Sequence, residues 1–86
     1  MLLDLIDDVG FAAETNDLLT HAQAKLNAKR LDLLVANDVS RPDSGFGTDT
    51  NKVHILQANG IVEDLPLMSK ADVAVAIWDR VQHLLR

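Results

Sequence analysis

Lys25 and Lys29 stand four residues apart, a spacing that puts both ammonium groups on one helical face, within reach of neighbouring phosphates. With Arg30, Arg41 and Lys52 they make five of the eight basic residues, gathered in the middle of a chain whose formal net charge is −5. A local excess of cations in an acidic chain suits a small anionic ligand and argues against tracking a nucleic-acid backbone. The competing reading is a solvated helix terminus, where cations complement the dipole. A second group is Gly10-Phe11-Ala12-Ala13, one aromatic among small residues. The small residues let a ligand approach the backbone, and Phe11 either packs on that ligand or belongs to the core. Third comes Asn37-Asp38, where the Asn37 amide can bind substrate or cap the following loop and Asp38 fixes that loop. His21, His54 and His83 are widely spaced in a chain without cysteine, so no zinc site is expected and no Ser-His-Asp arrangement is proposed.

The elements that must hold these residues follow from periodicity. Leu18, Leu19, Ala22 and Leu26 recur at helical spacing, which predicts a helix over 16–29 capped by Thr15 or Asn16. Leu31 to Ala36 is a short apolar run bounded by polar residues, the mark of a strand covered on both faces in a parallel sheet. Residues 39–49 read as a loop long enough to bind something. Val53 to Leu56 and Ile61-Val62 flank Asn59-Gly60, whose positive φ angles make a tight hairpin turn. Ser69 caps a final helix with a stripe of Val73, Ala76, Ile77, Val81, Leu84 and Leu85. Residues 2–9, broken by Asp4, Asp7 and Asp8, fit a frayed turn or an edge strand.

The whole reads as α/β: a Rossmann-like parallel sheet fragment with a C-terminal β-hairpin and a final helix, in one small domain over 1–86. In such sheets ligands bind beyond the carboxyl ends of the strands, where Gly10 to Ala13 and Asn37-Asp38 are expected. No apolar run approaches the ~18 residues of a membrane span, and the acidic start is no signal peptide, so the cytoplasm is the expected compartment.

Four ordered blocks, Gly10-Phe11-Ala12-Ala13-Glu14-Thr15, Ala22-x-x-Lys25-Leu26-x-x-Lys29-x-x-Asp32, Val35-Ala36-Asn37-Asp38-Val39 and Gly45-Phe46-x-Thr48-Asp49-x-Asn51, resemble the C-terminal portion of the phosphopantothenate-cysteine ligases. The resemblance implies a two-step reaction of coenzyme A biosynthesis. The carboxylate of 4'-phosphopantothenate attacks the α-phosphate of CTP, or ATP in some members, and cysteine then displaces the nucleotide from the acyl nucleotidylate. It further implies catalytic and nucleotide-binding roles for Lys25 and Lys29 on a mobile segment, nucleotide contacts from Phe11, Gly10 and Ala12, and a substrate contact from Asn37. Magnesium is expected with the nucleotide, and FMN only on a fused decarboxylase domain, not on this chain.

The chain departs from the family in two respects. The ligase domain is more than twice as long, and its missing N-terminal half carries the glycine-rich nucleotide loop, so the chain alone is expected to be inactive. Asp7-Asp8 replaces an apolar approach to the first block, so residues 1–8 are read as a non-native or rearranged start. Expected partners are the missing half and a second copy in a homo-oligomer such as a dimer, with neither nucleic acid nor membrane. The alternative function is a non-catalytic nucleotide-binding or assembly module of the same fold.

Overall fold

The structure, a computed structural model, describes residues 9–40 and 49–84. The expectation for residues 1–8 and most of the loop after Asp38 therefore lie outside the described residues. The first strand, β1 (Val9–Glu14), runs into helix α1 (Leu18–Ala28) and then strand β2 (Leu33–Asp38), which pairs parallel with β1 from Val9↔Leu33 to Glu14↔Asp38. Next come β3 (Thr50–Asn51), β4 (Val53–Gln57), β5 (Val62–Asp64) and β6 (Met68–Ser69), before helix α2 (Lys70–Leu84). The main sheet has the order β1-β2-β4-β5, with β4 antiparallel to both neighbours, and β3 pairs with β6 in a separate ribbon. The sheet is thus mixed, with one parallel pair and a hairpin, closed by the expected final helix.

β2 is apolar throughout its first four residues because both of its faces are covered. Leu34 and Ala36 meet Ala12, Ala22, Leu26, Leu31 and Leu56 under α1. Leu33 and Val35 meet Val53, Ile55, Leu65 and Val73 under α2. Burying one such leucine contributes about 1.5–3 kcal/mol. Gly10 belongs to the α1 side, where a Cβ would stand 2.5 Å from Leu31 Cδ1. Its lack of a side chain therefore serves close packing.

Three local findings differ from expectation. Gly10 to Ala13 lie inside β1, because pairing with β2 extends the strand through them. α1 starts two residues later than expected, after Asp17 in a left-handed conformation (φ 46°), and no side chain caps it. In the hairpin only Gly60 has a positive φ (94°). Gly60 N–H donates to the Gln57 carbonyl (3.0 Å), and Ile61 N–H donates to Asn59 Oδ1 (3.0 Å). That is a three-residue loop with the left-handed residue third, which also matches the strand twist.

The helix ends are better defined. At the end of α1, Arg30 takes φ 53°, Leu31 N–H donates to the Leu26 carbonyl and Arg30 N–H to that of Asn27, a Schellman closure sealed by contact between Leu26 and Leu31. Ser69 caps α2 as expected, accepting the Asp72 N–H at 3.0 Å. No described helix is long and apolar enough to cross a membrane.

Candidate functional site

Strand alternation sends Phe11, Ala13, Val35 and Asn37 to the α2 side of the sheet and Ala12, Glu14 and Ala36 to the α1 side. On the α2 side a cleft of about 480 Å³ opens toward the carboxyl ends of β1 and β2. That volume lies within the range of small-molecule sites. Val35 and Val53 form part of its lining, with Val73, Ala74 and Ile77 of α2. Phe11 lines it from β1 and is 71 % exposed, so its ring is not part of the core. Ala12 also lines the cleft although its side chain is buried under α1, so it presents backbone there. Asn37, Asn51 and Lys70 supply polar groups.

The α1 side is closed and charged at the same end of the sheet. Glu14 is buried, and its carboxylate takes Lys25 Nζ at 2.5 Å and faces His21 Nδ1 at 3.3 Å. The Lys25 hydrogen bond is the main cause that holds the Glu14 carboxyl below the usual glutamate value, against the opposing effect of burial, with the Lys25 and His21 charges adding to it. Lys29 is the exposed C-cap of α1, one turn further from Glu14. The structure thus gathers Phe11, Ala12 and Asn37 at one cleft, leaves Gly10 in the α1-side packing, and sets Lys25 and Lys29 on the helix across the sheet. Asp38 accepts hydrogen bonds from the Ser40 N–H (3.0 Å) and hydroxyl (2.5 Å), a loop-fixing role. A smaller hollow between hairpin and α2 has its main charges engaged in a bidentate Arg80–Glu63 pair, which keeps the Glu63 carboxyl below its usual value.

Residues 7–85 match the family described as DNA/pantothenate metabolism flavoprotein C-terminal domain. The chain belongs to that family. Among family relatives it is similar to a Bacillus subtilis protein named Coenzyme A biosynthesis bifunctional protein CoaBC, with 51 % identity over 76 residues, covering 88 % of this chain and 19 % of the relative. The Vibrio vulnificus protein of the same name is 46 % identical over 77 residues, covering 90 % of this chain and 19 % of the relative. A crystal structure of the C-terminal domain of such a protein shares the fold with a TM-score of 0.74 at 39 % identity, covering 90 % of this chain and 36 % of that one. This family member therefore spans about a fifth of the length of those two full-length relatives.

Sequence reasoning did not single out the α2 residues of the cleft, nor a role for Asn51. In the sequence Val73 and Ile77 belong to the apolar stripe of the final helix, and only their position above Val35 and Val53 makes them cleft walls. Asn51 stood in the fourth block, which was the available signal. Lys70 followed the Ser69 cap and carried no signal of its own.

Proposed function

We propose that the chain is the C-terminal portion of a phosphopantothenate-cysteine ligase and supplies part of the site that activates 4'-phosphopantothenate with CTP or ATP in coenzyme A biosynthesis. The observation that carries this reading is the convergence of Phe11, Ala12 and Asn37, from two separate sequence blocks, on one cleft at the carboxyl end of the parallel pair. The apolar walls and exposed Phe11 ring suit the flat base or ribose of a nucleotide. A triphosphate leading from the cleft across the end of β1 approaches Lys25 beside Glu14, where a cation stabilises charge building on phosphate oxygens. Lys29 acts one turn behind it. Any magnesium arrives with the triphosphate, since no group of three metal-ligating side chains is gathered among the described residues.

The N-terminal half of the ligase supplies the remaining substrate contacts. It covers the outer edge of β1, which pairs with no strand among the described residues, and a second copy of the ligase covers the exposed Val75 and Trp78 of α2. The engagement of Lys25 by Glu14 favours a second reading, a nucleotide-binding module without catalysis. Calorimetric titration with CTP and ATP tests the binding shared by both readings, with weak binding expected and no heat overturning both. Ligation of cysteine to 4'-phosphopantothenate should be undetectable for the chain alone, because shared positioning can supply ~7–11 kcal/mol, and should return when the N-terminal half is added in trans. Failure of that rescue favours the module.

A further inference from the structure

Two polar side chains in the cleft are left without a role by the motifs that pointed to it. Asn51, on β3, lines the cleft, and its Oδ1 is buried with no hydrogen-bond partner among the described residues. A buried amide carbonyl without a donor costs about 1–3 kcal/mol, and folded proteins carry few of them. The cost disappears when a donor arrives. Lys70 opens α2 and lines the same cleft. Its backbone N–H is taken by the Asp49 carbonyl at 2.9 Å, which fixes the residue, while its exposed ammonium enters none of the ion pairs among the described residues.

The surroundings give both groups weight. Val35, Val53, Val73 and Ile77 line the cleft, so water competes poorly with a polar contact formed there, and the contact gains strength from the low local dielectric. An acceptor and a cation in one apolar cleft select a ligand that carries an N–H donor and an anionic group together.

We infer that Asn51 and Lys70 are a second pair of ligand-binding residues in this cleft, the Asn51 carbonyl accepting an N–H of the ligand and Lys70 holding its anionic group. On this inference, binding turns the Asn51 amide about its Cβ–Cγ bond, since the carbonyl oxygen is buried while the residue lines the cleft. The inference rests on the ligase reading for the identity of the ligand, because all three substrates combine these features. A cytosine or adenine nucleotide has an exocyclic amine and phosphates, 4'-phosphopantothenate has amide N–H groups and a phosphate, and cysteine has an ammonium and a carboxylate.

The side-chain NH₂ signals of Asn51 in a ¹H–¹⁵N spectrum report the contact directly. CTP, UTP, 4'-phosphopantothenate and cysteine are titrated in turn, and at least one ligand bearing the donor should move those signals. Asn51→Leu should bind that ligand at least tenfold more weakly while melting at or above the parent temperature, since the unpaired carbonyl is gone. Lys70→Gln should weaken the same ligand and flatten the salt dependence of its binding. If the donor is the base amine, CTP loses affinity in Asn51→Leu and UTP does not.

Binding within threefold of the parent in both variants, with Phe11→Ala still weakening CTP, overturns the inference and leaves the ligase reading standing. A clear fall in melting temperature for Asn51→Leu with ligand affinity unchanged assigns Asn51 to structure and overturns it as well. Absence of binding by all four ligands at millimolar concentration overturns both.

Discussion

The two faces of the sheet solve opposite problems with the same strands. Under α1 the small residues Ala12, Ala22 and Ala36 pack among Leu26, Leu31, Leu34 and Leu56, all of them buried, and the end of that face is sealed by Glu14 with Lys25 and His21. Under α2 the side chains pack along only part of the helix, and Ala74 and Ile77 wall an open cleft whose other lining includes Phe11 and Ala13 of β1. Ligand binding needs a face that packing leaves unfinished, while precise placement needs one that it completes. Residues of β1 serve both, because alternation sends Phe11 one way and Glu14 the other.

The largest effect expected concerns the closed face. In the ligase carrying its N-terminal half, Lys25→Gln should slow nucleotidylate formation by about 10²-fold, the scale of one lost oxyanion donor. Paired measurement on Glu14→Gln/Lys25→Gln removes the uncompensated carboxylate, so a slow double variant assigns the loss to the ammonium. A rate within about threefold of the parent, well under 1 kcal/mol, would place catalysis wholly on the open face.

Volume tests the comparison next. Ala22→Leu forces a side chain into the packed α1 face and should cost about 1–3 kcal/mol in urea unfolding. Ala74→Leu, on the exposed cleft wall, should stay within about 0.5 kcal/mol of the parent yet weaken CTP binding at least tenfold by filling the cleft. Equal destabilisation by both would mean that the α2 face is packed as tightly as the other.

Acid sharpens it further. Glu14 has its carboxyl held below the ordinary value of 4.5, chiefly by the Lys25 hydrogen bond, so its contribution to stability is present above that value and is lost as pH falls through the lower folded one. Glu63, held by Arg80 on the open side, behaves in the same direction. Unfolding curves taken at falling pH should show Glu14→Gln losing part of the acid-induced decline, and Glu63→Gln a separate part. A profile identical to the parent in Glu14→Gln would show that the Lys25 pair contributes nothing to folding.

Least of all should come from Arg30, whose left-handed conformation costs a non-glycine residue roughly 1–2 kcal/mol, partly offset by the ~0.5–1 kcal/mol of chain entropy that glycine gives up on folding. Arg30→Gly should therefore raise stability by about 0.5 kcal/mol in thermal unfolding and leave CTP affinity unchanged. A drop in affinity would add Arg30 to the cations that meet the ligand.

The sequence made legible whatever a local rule governs. The apolar run of β2, the glycine of the hairpin and the Ser69 cap are where composition placed them. β1 was less visible, since Gly10, Ala12 and Ala13 have little strand propensity and the segment is extended by parallel pairing with a strand that follows a helix. The start of α1 was missed because Asp17 adopts a left-handed turn that no side-chain cap announces. As for the site, strand alternation separates Phe11 from Ala12, but which side α1 covers is a tertiary fact, so the placement of Lys25 across the sheet could not be read. Asn51 and Lys70 meet only because β3 pairs with β6 and α2 follows at once.

The hairpin offers one practical use. Gly60 sits at a turn where an added Cβ would meet nothing within 4 Å, and Ala58 and Asn59 beside it are exposed. The tip faces neither the cleft nor the α1 seal, since those lie at the other end of β4. A fluorophore attached through a cysteine placed at Ala58, unique in a chain that has none, would report tumbling and assembly without touching either face. The geometry of a turn thus becomes a handle for watching the molecule at work.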